Sequence, residues 1–489
     1  MHHQPDILQN LRHELSNGRM WLDRTVVLVY AALAGLAVVT FTLMTNKAFS
    51  WFEQIYHFQG GWLVLFWTPA LAAAIVWATR RFAPTASGSG IPQVMATLEP
   101  QVTPAQRQHF VSLRLTVAKM LLGSAGFLAG MSIGREGPSV QIAAGVMQHA
   151  RRWLRPQSGI SDHALLVAGG AAGIAAAFNA PLAGVVFAIE ELSRKLESRS
   201  SGLLITGIVL AGLIGVSFFG NRSYFGVIQV PELDWSALVP GLTVTLACGA
   251  LGGLFSKLMA ASLTGSPERM NRLRARFPVR FAAVGGLAIA VIGLVTGGAT
   301  FGAGSEEVQH ILAGEAELPE VYVTLKFIAT WLTAWCGVPG GIFAPSLSIG
   351  AGVGHNVSLL MGSEFAPALI AMGMAAFLAA VTQAPLTAFI IVMEMIDGHA
   401  MVLSLMSAAM LASLVSRLIA RPLYETLALH MVDVLHKSAA AVSPATPPSP
   451  TPPEPQPSPA PPAPSAPGSA TSAAVTAAPG ADADGDARK

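Results

Sequence analysis

The chain has 489 residues, of which 52% are hydrophobic and only 11% carry a charge. Globular domains have about 25% charged residues, so this chain has less than half the charge that a soluble surface needs. That shortage argues against a cytosolic enzyme and against a disordered scaffold. Because 29 basic residues face 27 acidic ones, the net charge is only +2, and no nucleic-acid partner is expected. The composition predicts a polytopic membrane protein.

Sequence motifs for cofactors and metals are not evident. The two cysteines, Cys248 and Cys336, are too few for a disulfide framework and are not spaced as metal ligands. The chain contains no P-loop motif, so ATP is not expected to drive its activity. We therefore expect no cofactor.

Long apolar runs follow a polar segment, residues 1–24, which lacks the small-residue cleavage site of a signal peptide and is expected in the cytoplasm. Several runs approach the ~20 residues that span a bilayer. The runs are Thr25–Met44, Trp62–Ala78, Leu165–Ile189, Gly202–Phe219, Leu238–Met259, Phe281–Gly298, Val321–Gly337, Ala366–Met393 and Met401–Ile419. Two more, Val111–Ile133 and Ser346–Met361, are interrupted by glycine or proline, as is typical of the broken helices of transporters.

The charges of the loops predict the orientation of the chain. Arginine and lysine cluster around residues 80–81, 151–155, 194–199 and 269–280, whereas residues 306–320 contain five glutamates and neither lysine nor arginine. Basic loops remain on the cytoplasmic side of a membrane. We therefore expect the acidic segment outside and both termini in the cytoplasm.

The composition changes at residue 438. Fourteen of the 33 prolines lie between Pro444 and Pro479, among alanine, serine and threonine. Such a segment cannot bury a core, so residues 438–489 are expected to form a disordered cytoplasmic tail. The membrane domain is then residues 25–437.

An internal repeat divides this domain. Ala175–Leu182 resembles Ala379–Leu386, and the match continues to Glu190 and Glu394 at a constant offset. Lys119 and Lys326 also correspond, as do the segments 134–139 and 341–346. The repeat predicts two homologous halves, about 25–215 and 236–420, whose relative direction the similarity alone does not give.

Three glycine-rich turns each precede a proline and an apolar stretch: GSGIP at 88–92, GREGP at 134–138 and GIFAP at 341–345. Proline is favoured in the first turn of a helix, and the bare amides there carry a partial positive charge. Converging ends of this kind would bind a dehydrated anion. The alternative for each turn is an ordinary connection between short helices.

These three motifs, in this order, resemble the signature motifs of the chloride channel (CLC) family, and the resemblance covers about residues 25–435. It implies an all-α polytopic membrane protein with the CLC fold, in which two inverted repeats contain broken and tilted helices. It is most similar to the prokaryotic chloride/proton antiporters without CBS domains. In the family, the protein is a homodimer with a separate pore in each subunit.

Glu136, in the second motif, is a carboxylate within an apolar membrane segment, and such a residue is a functional candidate by default. The resemblance implies that it is the external gate, which carries protons and competes with chloride. The alternative is a glutamate that only stabilises its own helix N-terminus. Arg135 beside it is either an anion lure or an ion-pair partner.

The resemblance implies a chloride site formed by the hydroxyls of Ser89 and Tyr424 and the amides of Ile342 and Phe343. Several weak donors bind an anion without holding it too tightly for conduction. Serine in the first motif implies a preference for chloride over nitrate and fluoride. Without the family, Ser89 would be a turn residue and Tyr424 an interfacial anchor.

Glu190 and Glu191 end an apolar run. Glu190 corresponds to Glu394 in the repeat and is expected to be structural, whereas Glu191 corresponds to Met395. The resemblance implies that Glu191 is the internal proton acceptor, the alternative being a solvated helix end. Lys119 and Lys326 are expected to be structural or to shape the local potential.

The sequence therefore predicts chloride/proton exchange, with chloride, protons and membrane lipid as partners. We expect a multi-pass protein of the bacterial inner membrane, not an enzyme. Three alternatives stay open: a passive voltage- or pH-gated chloride channel, an exporter of another anion such as fluoride, and an intramembrane hydrolase. The last would use Ser132 in the G-x-S-x-G stretch at 130–134.

Overall fold

The computed structural model describes residues 18–193, 201–220, 224–226, 235–265, 267–315, 318–362 and 365–442. These residues form nineteen α-helices, and the described part of the chain contains no β-strand. The chain divides into two compact units, Met1–Ser438 and Ala439–Lys489. The predictions for residues 1–17, for Arg194, Lys195 and Arg199, and for the tail beyond residue 442 lie outside the described residues.

Nine helices precede residue 220. They are α1 (Gly18–His57), α2 (Val64–Phe82), α3 (Ile91–Leu98), α4 (Pro104–Arg107), α5 (Leu113–Leu128), α6 (Glu136–His149), α7 (Asp162–Phe178), α8 (Pro181–Phe187) and α9 (Ser201–Phe219). A π-helical turn, Ala188–Leu192, continues α8.

Ten helices follow. They are α10 (Leu238–Thr264), α11 (Glu268–Arg276), α12 (Pro278–Val295), α13 (Ser305–Leu312), α14 (Tyr322–Cys336), α15 (Phe343–Met361), α16 (Ala366–Thr382), α17 (Pro385–Met395), α18 (Val402–Arg417) and α19 (Leu423–Val442).

Five of the described helical segments are long and apolar enough to cross a membrane: Met20–His57, Gly202–Phe219, Trp235–Thr264, Pro278–Val295 and His399–Arg417. They contain α1, α9, α10, α12 and α18 apart from terminal residues, and each overlaps a run predicted from the sequence. Many of their large apolar side chains are exposed, as expected where a helix faces lipid. The protein is an integral membrane protein.

Two apolar runs, Leu165–Ile189 and Ala366–Met393, are each broken into two helices, whereas Ser346–Met361, which the sequence predicts to be interrupted, lies within the single helix α15. Asn179 and Gln383 end α7 and α16 in the left-handed conformation, with φ of 57° and 60°. Each is followed by alanine and then proline, which disfavours a helical conformation at the preceding residue. The hydrophobic pattern continues through both breaks and therefore conceals them.

The two halves have the same helix packing. α6 packs against α7, α7 against α8 and α9, and α9 against α1; in the second half α15 packs against α16, α16 against α17 and α18, and α18 against α10. α7 and α16 are buried on nearly every side, which explains why they are apolar all round rather than amphipathic. The repeat predicted from the sequence is therefore present as two halves with matching packing in an all-α fold.

Glu190 and Glu394 connect the halves reciprocally. The Glu190 carboxylate accepts hydrogen bonds from the amides of Leu386 (3.0 Å) and Thr387 (2.6 Å) at the start of α17. Glu394 accepts from Leu182 (3.2 Å) and Ala183 (2.7 Å) at the start of α8. A carboxylate at a helix N-terminus satisfies amides that have no partner within the helix. Each half therefore caps a helix of the other.

Candidate anion and proton site

The three glycine-rich turns meet at the centre of the membrane domain. Gly134 and Gly341 exchange backbone hydrogen bonds, with Gly134 N to Gly341 O at 2.8 Å and Gly341 N to Gly134 O at 2.7 Å. The Gly340 amide donates to the Gly88 carbonyl at 3.2 Å. The third motif and the glycine before it thus bond to both of the other motifs, so the N-termini of α3, α6 and α15 are held together.

Glycine is required at two positions in this junction. Gly90 has φ of 113°, a conformation that other residues rarely adopt. A Cβ atom at Gly137 would collide with the Ser89 hydroxyl and would lie 3.0 Å from the Ser89 carbonyl oxygen. Absence of a side chain therefore lets the second motif approach the first.

The helices begin earlier than the motifs suggest. α6 begins at Glu136 and α15 at Phe343, so Pro138 and Pro345 are third in their helices rather than first. Both still lie in the first turn, where an amide has no partner within the helix. Among the described residues, neither the Ile342 amide nor the Phe343 amide donates a hydrogen bond to a backbone carbonyl of a turn or loop.

The four residues of the predicted chloride site lie together. Tyr424 is 1% exposed, its hydroxyl faces that of Ser89, and neither oxygen completes a hydrogen bond of good geometry with another described group. The Phe343 and Tyr424 rings are 5.9 Å apart, centroid to centroid. Ser89, Ile342 and Tyr424 also line one cavity of about 490 Å³. Two buried hydroxyls without satisfied partners are suited to an anion.

We call the cavity that ends at these hydroxyls the inner vestibule, because Arg274, from a basic segment predicted to be cytoplasmic, lines it. Most of its wall is apolar, with α19 contributing more residues than any other helix, and Arg274 is the one lysine or arginine among the described lining residues. His109 and His430 are also in the wall. The vestibule is thus weakly cationic.

Glu136 lies against the same junction. It is 1% exposed, and its carboxylate faces the backbone amides of Arg135, Ala344 and its own residue. One carboxylate oxygen, Oε2, is so close to Gly134 that a Cβ atom there would collide with it. The negative charge therefore lies where α6 and α15 both present backbone amides.

Arg135 lines a second cavity of about 380 Å³ together with Tyr224, Ser305 and other residues. We call it the outer vestibule, because Glu306 and Glu307, from the acidic segment predicted to lie outside, also line it. The Arg135 guanidinium contacts Asn46 and Tyr224. Arg135 forms no ion pair with any described residue, so the two neutral contacts hold it. No local motif marks Asn46 or Tyr224, so neither residue can be recognised from the sequence.

Glu191 is half-buried and lies in the π-helical turn. π-Turns occur frequently at functional sites, but the sequence gives no sign of this one. The charges of Glu191 and Glu136 both act on the Tyr424 hydroxyl. Both carboxylates are therefore near enough to the candidate chloride site to influence it.

The matched lysines Lys119 and Lys326 are fully buried. The Lys119 ammonium donates to the carbonyls of Ala86 (2.8 Å) and Gly88 (2.6 Å), immediately before Ser89. Lys326 donates to carbonyls of residues 300–302 at 3.0 to 3.3 Å. Each lysine thus fastens the loop before a short helix, α3 or α13.

The serine of the G-x-S-x-G stretch has a structural partner. The Ser132 hydroxyl lies 2.9 Å from the Thr330 hydroxyl, and Ser132 is 1% exposed. A nucleophilic serine needs a general base, such as histidine or lysine, within hydrogen-bond reach to accept its proton. Its contact with threonine gives the hydrolase alternative no support.

Solved structures share this architecture. A slow cyanobacterial Cl-/H+ antiporter superposes with a TM-score of 0.71 at 26% identity, covering 84% of this chain and 98% of that one. A CLC-type fluoride/proton antiporter has a TM-score of 0.67 at 21% identity, over 83% of this chain and 97% of that one. At that identity the second likeness shows the fold alone, and the two likenesses confirm the predicted CLC fold.

Sequence relatives agree. The H(+)/Cl(-) exchange transporter ClcA of Cronobacter sakazakii is 31% identical over 418 residues, covering 81% of this chain and 86% of the relative. The protein of the same name from Klebsiella pneumoniae is 30% identical, over 82% of this chain and 86% of its own length. The sequence model of the voltage gated chloride channel family matches residues 70–417. The chain belongs to the voltage gated chloride channel family.

Proposed function

We propose that this protein exchanges chloride for protons across a membrane. The observation that carries the proposal is the position of Glu136. Its carboxylate lies at the amides of two converging half-helices, and the junction of these helices also carries the two buried hydroxyls. The relatives named as H(+)/Cl(-) exchange transporters support the same function.

Chloride, in this proposal, is bound by the Ser89 and Tyr424 hydroxyls and by the amides of Ile342 and Phe343. These donors are neutral, so they compensate a dehydrated anion while leaving it free to move on. Ions reach them from the cytoplasm through the inner vestibule. The charged Glu136 carboxylate blocks passage to the outer vestibule, and its departure opens that passage.

Glu136 carries the proton: its carboxylate becomes neutral when it binds the proton and negative again when it releases it. A protonated carboxyl no longer competes with chloride for the amides, so protonation and chloride entry favour each other. We assign Glu191 as the inner proton acceptor, because it is half-buried in the π-helical turn and acts on the same hydroxyl as Glu136. Protons then pass between these two glutamates while chloride follows the hydroxyls.

We propose a homodimer in a bacterial inner membrane, with both termini in the cytoplasm and lipid around the domain of residues 25–437. Residues 1–24 and 438–489 are its cytoplasmic extensions. The protein needs no cofactor, because the chloride and proton gradients themselves drive exchange.

The test is simultaneous measurement of chloride and proton flux in liposomes that contain the purified protein. A chloride gradient should drive protons uphill, and the voltage at which both fluxes stop should depend on the pH gradient. Glu191→Gln should remove proton flux and spare chloride flux. Glu268→Gln changes an exposed glutamate on α11 and is the matched control.

Two results would overturn the proposal. A reversal potential that ignores the pH gradient would identify a passive channel. Transport of fluoride in clear preference to chloride would identify an exporter of another anion. Proton pumping that persists in Glu191→Gln would overturn only the assignment of that residue.

A further inference from the structure

The outer vestibule has an unfavourable charge for an anion pathway. Glu53, Glu306 and Glu307 line it, and Arg135 is the one lysine or arginine among the lining residues that the structure describes. Carboxylates at a cavity mouth lower the local concentration of anions. The entry and exit of chloride on this side therefore depend on the position of the Arg135 guanidinium.

Neutral groups hold that guanidinium. Nη1 donates to Asn46 Oδ1 at 2.5 Å, and Nη2 donates to the Tyr224 hydroxyl at 2.9 Å. The guanidinium carbon also lies 5.6 Å from the centroid of the Tyr224 ring, within the range of a cation–π interaction. Because the described residues offer it no ion pair, its positive charge is not neutralised by the glutamates that share the cavity.

Hydrogen bonds hold both the side chain and the backbone of Tyr224. Its hydroxyl lies 3.3 Å from that of Ser305, and its backbone carbonyl accepts from Gln309 Nε2 at 2.9 Å. The next residue, Phe225, donates its amide to Met395 O at 2.8 Å and is 7% exposed. Contacts to α13 and α17 thus hold the tyrosine above the vestibule.

We propose that Tyr224 is a positioning residue that keeps the Arg135 guanidinium directed into the outer vestibule and away from its glutamates, and thereby sets the affinity for chloride on the outer side. The inference rests on the proposed function. Tyr224 does not touch the proposed chloride site, so it acts through Arg135 and not as a ligand. Its loss should weaken chloride binding from one side only.

The experiment compares Tyr224→Phe with the wild type in right-side-out and inside-out membrane vesicles, which expose opposite faces. Phenylalanine keeps the ring under the guanidinium and removes only the hydroxyl. The expected result is a rise of about ten- to 150-fold in the KM for outer chloride, from loss of a hydrogen bond to a charged group. The KM for inner chloride, the maximal rate and the chloride-to-proton ratio should stay within about twofold. Tyr56→Phe is the matched control, since Tyr56 is a tyrosine near the outer end of α1 that does not line the vestibule.

A double-mutant cycle separates positioning from a structural role. In an Arg135→Ala background, Tyr224→Phe should have no further effect on the KM for outer chloride. An equal rise in both backgrounds, or an unchanged KM in the single variant, would overturn the inference. These results differ from failure of the proposed function, in which the wild-type vesicles themselves would show no proton flux coupled to chloride.

Discussion

Adding one methyl group at Gly137 tests whether the meeting of the motifs forms the anion site. In Gly137→Ala, the new Cβ atom would collide with the Ser89 hydroxyl and lie 3.0 Å from the Ser89 carbonyl oxygen and 3.2 Å from Gly341 Cα. A serine hydroxyl can rotate, but two of these contacts are to backbone. Overpacking of this kind costs about 1–3 kcal/mol. Because all three motifs must separate, we expect chloride binding to weaken by about five- to 100-fold.

The matched control is Gly145→Ala in the same helix, α6. There the new Cβ atom would collide with the Thr116 hydroxyl and lie 3.3 Å from the Ser112 carbonyl oxygen, away from the junction. Both variants gain about 1 kcal/mol of helix propensity, so their thermal stabilities should be similar. Chloride affinity, measured by calorimetric titration of the purified protein, should fall only in Gly137→Ala. If both variants bind chloride as the wild type does, the junction is not the anion site.

Three further predictions concern charged residues. Glu136→Gln should abolish proton flux in liposomes while chloride still moves, because an amide cannot carry a proton. Lys119→Met should lower chloride affinity by about tenfold, since the Ala86 carbonyl loses its lysine donor and the Gly88 carbonyl keeps only the Gly340 amide, and an unmade buried hydrogen bond costs about 1–3 kcal/mol. Lys326→Met serves as its control in the same titration, and there the change should stay below about twofold. Glu190→Ala should speed amide hydrogen exchange at the start of α17 by roughly two- to 30-fold, because loss of a helix cap costs about 0.5–2 kcal/mol.

Each has an outcome that contradicts it. Proton flux that survives in Glu136→Gln would remove this residue from the proton path. Equal losses of chloride affinity in the two lysine variants would show that both act through general stability. For the cap, Glu394→Ala should affect the start of α8 instead; faster exchange at the same amides in both variants would mean that the reciprocal contacts are not local caps.

The sequence predicts the fold where the information is local. The apolar runs, the repeat and the three glycine-rich turns are all visible in single segments, and each has a counterpart in the structure. The breaks at Asn179 and Gln383 are missed because hydrophobicity continues across them, and only the asparagine or glutamine two residues before proline marks the change. The spacing of apolar residues does not indicate at which residue a buried helix ends.

The site is only partly predictable for a different reason. Residue types with an evident chemistry, such as Glu136 and Tyr424, stand out in an apolar chain, and the resemblance relates them to each other. The contacts of Arg135 with Asn46 and Tyr224 join residues 89 positions apart on either side. No local pattern encodes such contacts, and the same holds for the π-helical turn that carries Glu191.

The position of Tyr424 has a consequence for biosynthesis. It lies on α19, the last described helix of the chain, while Ser89 precedes α3, the third. A nascent chain acquires the first hydroxyl early and the second only when nearly the whole membrane domain has left the ribosome. The ion path is therefore completed by one of the last steps of synthesis, so a polypeptide interrupted before α19 would insert its helices yet lack the tyrosine that faces Ser89.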